Sequence, residues 1–326
     1  MEKFRWGVIG TGKIAHTFAI ALKHCEKAQL CAVASRTEDK AKAFAEEFGF
    51  ENYYGSYADF ALNSDAEIVY IATPMASHFA DAKLCIENGK NVLCEKSLTL
   101  NAAQTEELLS LAKAKGVFFM EAMWMKCRPV YRWMKEWIAS GLIGDIEYIK
   151  ADFSGFIPYN ENDRLFRADC GGGCLLDLGI YPLTLAHDLL GMPDVIISSA
   201  HMMNGIDMSN SIILRYKSGA FVSADNGFEI QLSNNAVVSG SKGMITLGNW
   251  FHCTDEGILY DRLGNEVEHF VCKDEINGYE YEVDEVHRCL EAGLLESPLV
   301  PHSDTIEVMK IMDECRKQWG MKFPDE

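Results

Sequence analysis

Six residues near the start of the chain constrain its fold more than any others. Gly10-Thr11-Gly12-Lys13-Ile14-Ala15 ends a strand-like run, Arg5 to Gly10 (RWGVIG), and opens a helix-like stretch from Lys13 to His24. In this pattern the first glycine permits a tight turn and the second lets backbone approach a pyrophosphate. Ala15 allows close packing of helix on strand, and the helix N-terminus presents free N–H groups to phosphate. Alone, such a motif is weak; here it sits in the strand–loop–helix context that a dinucleotide site requires. Gly10, Thr11, Gly12, Lys13 and Ile14 are therefore expected to bind a dinucleotide, the alternative being a glycine turn that only packs.

The alternation continues to about residue 122. Strand-length apolar runs at Leu30–Ser35, Asn52–Tyr54, Ile68–Ala72, Asn91–Cys94 and Phe118–Ala122 are separated by helix-length patterns at Thr37–Phe48, Ser77–Asn88 and Asn101–Lys115. Such spacing predicts right-handed βαβ units and a doubly wound parallel sheet, the Rossmann arrangement. Ligands of such sheets lie beyond the carboxyl ends of the strands. Those ends are Gly10, Ser35-Arg36, Thr73-Pro74, Glu95-Lys96 and Met123-Trp124, which are expected to converge on one crevice. Lys96 is the cation that directly follows the NVLC strand. A lysine there suits a substrate oxygen and lowers the pKa of a neighbouring acid, although a loop lysine is more commonly just solvated.

The end of the second strand bears on which dinucleotide is preferred. NAD enzymes usually carry Asp or Glu there for the ribose 2′-hydroxyl. This chain has Ser35 followed by Arg36, a hydroxyl and a guanidinium suited to a 2′-phosphate. NADP is expected as cofactor, with NAD less favoured.

After Trp124 the pattern changes. Helical stretches at 130–140 and 179–190 and a strand near 146–153 precede a region, 195–270, of short strand-like runs punctuated by turn residues. Helices at 280–291 and 303–320 close the chain. The expectation is two domains: 1–122, binding the cofactor, and 123–326, an α+β domain with a largely antiparallel open sheet, its C-terminal helix free to pack back on the first. Both alternating residue sets in 195–270 carry apolar side chains, as a covered second face would require.

Composition excludes several classes of partner. The formal charge of −18 repels phosphate backbones and anionic lipids, so neither nucleic acid nor membrane is expected. The eleven cysteines are odd in number and contain no Cys-x-x-Cys, which suits reduced thiols and a cytoplasmic location without a signal peptide. Cys170 and Cys174 bracket three glycines, but no metal is expected there because no histidine or second cysteine pair lies nearby.

Three segments carry a resemblance: Glu95-Lys96 after a strand, the EAMW segment at 121–124, and Gly171–Pro182, GGGCLLDLGIYP. Together they resemble the Gfo/Idh/MocA oxidoreductases over nearly the whole chain, with the dihydrodiol and D-xylose dehydrogenases as the most similar branch. The resemblance implies that Tyr181 is the catalytic base, that Asp177 is a substrate-site acid, and that Lys96 is the lysine of the family's Glu-Lys-Pro motif. Ser97 replaces that proline, and a cis bond before serine costs about 2.5–4 kcal/mol. The resemblance also makes His78, whose spacing from Thr73-Pro74 occurs in the family, either structural or cofactor-adjacent, and it implies a homodimer formed through the open face of the second sheet.

The implied chemistry is hydride transfer between nicotinamide and a secondary alcohol of a trans-dihydrodiol, aldopyranose or related cyclic polyol. A noncatalytic NADP(H)-sensing or scaffold protein of the same fold is the alternative. Trp124, Phe153, Phe156 and Tyr279 are candidates for an apolar substrate wall, each equally consistent with a core position, and Arg167 for a contact to a substrate oxygen. His187 lies six residues beyond Tyr181, about 600° around a helix, and is expected to pack rather than act as a second base.

Overall fold

The computed structural model of the chain describes residues 3–324 and 326. It divides into two compact units that are discontinuous in sequence. One comprises the chain up to Thr99, Ala103–Cys127 and Asp274–Thr305; the other comprises Leu100–Ala102, Arg128–Lys273 and the chain from Ile306 on. The chain crosses between the units first at Thr99/Leu100 and for its longest stretch at Cys127/Arg128, whereas the sequence predicts one cut at 122/123. That cut does not anticipate that 274–305 returns to the first unit, or that most of the last helix belongs to the second.

In the first unit, β1 (Phe4–Ile9), α1 (Lys13–His24), β2 (Ala28–Ala34), α2 (Glu38–Phe48), β3 (Asn52–Tyr54) and α3 (Tyr57–Asn63) form one half of a doubly wound fold. The other half is β4 (Ile68–Ile71), α4 (Met75–Glu87), β5 (Asn91–Glu95), α5 (Ala102–Lys115) and β6 (Phe119–Ala122). The strands pair in parallel in the order β3-β2-β1-β4-β5-β6, the Rossmann order. All four residues of β4 and four of the five of β5 are buried, as continuous apolar runs in a sheet covered on both faces should be. The short helix α3 has no strong apolar period to announce it; Ser56 opens it by accepting the Asp59 N–H at 3.3 Å.

The second unit holds α6 (Pro129–Ala139), β7 (Ile146–Ser154), a wide helical turn at Leu175–Gly179 that runs into α7 (Ile180–Leu190), and β8 (Val195–Met203). Six further strands follow: β9 (Ile206–Arg215), β10 (Phe221–Gly227), β11 (Ala236–Gly240), β12 (Gly243–Leu247), β13 (Glu256–Asp261) and β14 (Glu266–Val271). They build an eight-stranded sheet in the order β14-β13-β12-β11-β7-β10-β9-β8, antiparallel except between β7 and β10. One register row, Leu214-Val222-Ile149-Val238-Ile245-Leu259, is at most 2% exposed; α7 packs on β7 and β10, and α6 on β13. The opposite face carries Ile197, Ile213 and Phe221, which are 50, 42 and 47% exposed.

Two helices close the chain, α8 (Glu280–Glu291) and α9 (His302–Trp319). The apolar stripe of α8 joins the first unit, where Trp6 Nε1 donates to His287 Nε2 at 2.9 Å and Asn277 donates to the Thr17 carbonyl at 2.9 Å. The body of α9 lies in the second unit, with Glu307 against His187 and Gln318 accepting the Ser198 N–H.

Candidate active site

The glycine turn after β1 has the geometry its sequence requires. Gly10 has φ +98°, and a Cβ there would lie 2.7 Å from the Ala72 carbonyl oxygen, so only glycine fits. At the N-cap of α1, Gly12 supplies no side-chain cap and nothing lies within 4 Å of where its Cβ would be. The first turn of α1, begun by Lys13 and Ile14, thus has no capping side chain from Gly12, and the space beside Gly12 is open. Thr11 Oγ1 bonds Ser35 Oγ at 3.2 Å, tying the turn to the end of β2, where Ser35 is buried and Arg36 exposed.

The ends of β4 and β5 are braced from behind. His78 is 2% exposed and reaches the carbonyls of both Thr73, at 2.8 Å, and Ser97, at 3.0 Å. It thus joins the loop after β4 to the loop after β5, while exposed Pro74 caps α4 and Thr73 donates to Asp81 at 2.7 Å. Glu95 is buried and accepts from the Tyr70 hydroxyl. Burial pushes the Tyr70 phenol well above its ordinary range, and Glu95 and Glu282 add to the shift.

Half-buried Lys96 follows directly, joined to Ser97 by a cis peptide bond. The next amide, Leu98 N–H, donates to Glu121 at 3.0 Å, and Thr305 donates to the other oxygen of Glu121 at 3.1 Å. Burial pushes Glu121 up to about 7; the Thr305 hydroxyl, the Leu98 amide, Lys126 and Lys96 all pull the other way. Trp124 and Tyr279, both half-buried, stack with centroids 4.5 Å apart and planes at 12°.

The second unit carries the other predicted residues. Pro182 has no N–H to extend a helical ladder, and its ring crowds the carbonyl four residues back. In the turn before it, Leu175–Gly179, the helix widens so that Ile180 N–H bonds Leu175 O, an i→i−5 contact. Asp177 and Tyr181 both rise from this stretch. Asp177 is half-buried and faces Arg164 at 3.6 Å. Tyr181 is 5% exposed, 5.4 Å from Phe153 and 4.7 Å from His252 between ring centroids, and Phe153 and His252 stack at 4.4 Å.

Phe156 is 69% exposed and Arg167 is engaged by Asp169, so neither joins this cluster. His187 packs as expected, its Nε2 2.6 Å from Glu307. A cavity of about 530 Å³ opens elsewhere in this unit, on the outward sheet face, lined by polar groups such as Lys150, Asp152, His201, Ser211 and Asp225.

Sequence reasoning missed Glu121, Arg164 and His252. Glu121 was visible as a carboxylate ending a buried strand. Nothing in the sequence singles out Arg164 or His252, each brought to the cluster through a loop. Among the described residues no group of three or more His, Cys, Asp or Glu could hold a metal, and no helix is long and apolar enough to cross a membrane. All eleven cysteines are free thiols.

Comparison with known proteins places the chain in a family. The family described as "Oxidoreductase family, NAD-binding Rossmann fold" matches residues 4–123, and the GFO/IDH/MocA C-terminal domain matches 131–246. A trans-1,2-dihydrobenzene-1,2-diol dehydrogenase of Mus musculus is 34% identical, over 99% of this chain and 98% of its own. The chain belongs to the Gfo/Idh/MocA oxidoreductase family. Its first unit is thus an NAD(P)-binding Rossmann domain. The similarly named protein of Xenopus tropicalis is 31% identical, over 98% of this chain and 99% of its own. Among solved structures, a 3-ketoreductase from Actinomadura kijaniata, in complex with NADP and TDP-benzene, superposes with a TM-score of 0.87. It is 26% identical and covers 97% of this chain and 98% of its own. An aldose–aldose oxidoreductase from Caulobacter crescentus shares the fold at a TM-score of 0.86 and 23% identity, over 98% of each chain.

Proposed function

We propose that this chain is an NADP-dependent dehydrogenase acting on a secondary alcohol of a trans-dihydrodiol, an aldopyranose or a related cyclic polyol. The observation that carries the reading is the nearly full-length similarity to trans-dihydrodiol dehydrogenases. Preference for NADP is supported by Ser35 and Arg36 at the end of β2, and by the NADP bound in the ketoreductase. A bound nicotinamide supplies the hydride acceptor.

In this reading Gly10–Ile14 hold the pyrophosphate, Ser35 and Arg36 the 2′-phosphate, and Thr73, Pro74, His78 and Glu95 shape the loops beside the cofactor. Tyr181 removes the hydroxyl proton of the alcohol as its carbinol hydrogen leaves. A tyrosine titrates ordinarily near ~10, so it needs a cation to favour phenolate, the role given to Lys96. Asp177, steadied by Arg164, orients the substrate hydroxyl. Phe153, Trp124 and Tyr279 form apolar wall. The free thiols suit a cytoplasmic enzyme.

A panel of dihydrodiols, sugars and inositols read by NADPH absorbance tests the proposal. Turnover of at least one is expected, and Lys96→Met and Tyr181→Phe should each lower kcat by about 100-fold or more while NADPH still binds. Tight NADPH binding with no turnover across the panel would replace this reading with a cofactor-sensing protein, and retained turnover in both variants would overturn the mechanism.

A further inference from the structure

The inner face of the second sheet is apolar along most rows, yet three polar side chains lie within it beneath the wide helical turn. Asp207 is 0% exposed, Asn210 5% and Asn226 0%. They form one chain of hydrogen bonds. Asp207 Oδ2 accepts from the Leu175 N–H at 2.8 Å and from Asn210 Nδ2 at 2.8 Å. Asn226 Nδ2 donates to Asn210 Oδ1 at 2.9 Å across the β9–β10 pair in which the two asparagines are register partners.

The chain meets the helical segment at three places. A Cβ on Gly173, where φ is +123°, would lie 2.5 Å from Asp207 Oδ1. The Leu175 amide is bonded directly, and a Cβ on Gly179 would lie 3.3 Å from Asn226 Nδ2. Residues 173, 175 and 179 flank Asp177 and lead into Tyr181. The segment's height above the sheet is thus set by the hydrogen bond at Leu175 and by close approaches at Gly173 and Gly179, where the lack of a Cβ leaves room.

This arrangement is costly as packing. Buried polar groups must be fully bonded to repay desolvation, and Asp207 Oδ1 and Asn226 Oδ1 have no partner. Leucine and valine fill equivalent rows of the same sheet without that penalty. Burial pushes Asp207 up to about 6, opposed by its bonds to Asn210 and Leu175 and by Arg316. Its Oδ2 accepts the Leu175 N–H at the start of a helical stretch, the end at which the helix dipole favours an acceptor of this kind.

We propose that Asp207, relayed through Asn210 to Asn226, is the positioning residue that holds the Asp177–Tyr181 segment in its working register; this rests on the catalytic reading of Tyr181 above. It touches neither substrate nor cofactor and acts through the backbone of the segment.

The test compares Asp207→Ala, Asp207→Asn and Asn226→Ala in the full-length protein, with hydrogen exchange of peptide 174–181 and steady-state kinetics. Asp207→Ala should speed exchange of that peptide and lower kcat by about 10- to 100-fold, the scale of a small misplacement of a reacting group. KM for cofactor and substrate should stay within about threefold, since neither is bound by Asp207. Asp207→Asn keeps an acceptor for Leu175 and should recover most of kcat; Asn226→Ala should fall in the same direction as Asp207→Ala. A cooperatively folded Asp207→Ala protein with wild-type kcat and unchanged exchange overturns the proposal, as does a loss of activity expressed in KM. Should Asp207→Ala fail to fold, Asn226→Ala carries the same two outcomes. Should the wild type turn over nothing, the enzymatic reading fails by itself, and unchanged exchange in the variants would overturn the positioning role separately.

Discussion

Arg36 stands exposed beyond β2 beside buried Ser35, where a guanidinium can meet a 2′-phosphate without displacing core packing. A charge-assisted bond of this kind is worth about 1.5–3 kcal/mol, or roughly 10- to 100-fold in binding. Arg36→Ala should therefore raise KM for NADP by about that factor and leave KM for NAD within about twofold. Equal changes for both cofactors would remove the basis for NADP preference. Single residues were unequally legible in the sequence. Gly10 was visible because its motif is contiguous and steric, and the structure supplies the close approach to Ala72 that demands glycine. His78 drew notice only by its spacing; that it braces two carbonyls, Thr73 and Ser97, follows from the pairing of β4 with β5. Arg164 could not be found, because the loop that carries it to Asp177 has no periodicity to read.

Among elements, α8 illustrates how a helix far along the chain becomes part of an N-terminal core. Its His287 accepts from Trp6 Nε1 and stacks on Phe4 at 4.6 Å. Burial pushes this imidazole down to about 4, with Lys27 adding to the shift and Glu291 opposing it. The unfolded chain then takes up a proton near the ordinary ~6.5 while the folded chain does not. The neutral histidine's contribution is intact above about 6.5 and is lost as pH falls towards 4. His287→Phe should melt at a lower temperature than wild type at pH 7, because Trp6 loses its acceptor, but with a shallower decline between pH 6.5 and 4. Thermal melts across that window check it; parallel declines would rule out His287 as the source. The limits of α8 were legible from its apolar stripe, and its membership in the first unit was not. The wide turn before α7 was likewise hidden, since Pro182 announces that a helical ladder must yield but not how.

At the scale of the whole molecule, the outward face of the second sheet carries Ile197 paired with Ile213, and Phe221 beside Tyr148 at 4.5 Å. Exposed apolar rows of this kind on a strand pair suit a second copy of the chain. Light scattering at micromolar concentration should give twice the 36.5 kDa of one chain, and Ile213→Glu should shift the mass towards that of one chain. A monomeric wild type would contradict the homodimer. Sequence by itself determined the doubly wound parallel sheet, the glycine turn after β1 and the largely antiparallel character of the second sheet, but not its one parallel pair, β7 with β10. Each is written in local periods, contiguous motifs or strand ends, which chain geometry converts directly into position. Tertiary structure alone decided the return of 274–305 to the first unit, the clasp of Glu121 on Leu98, the rings of Phe153 and His252 around Tyr181, and the buried Asp207–Asn210–Asn226 chain. These join residues distant along the chain, and such partners are chosen by packing and desolvation in the folded state rather than by any pattern a local window can hold.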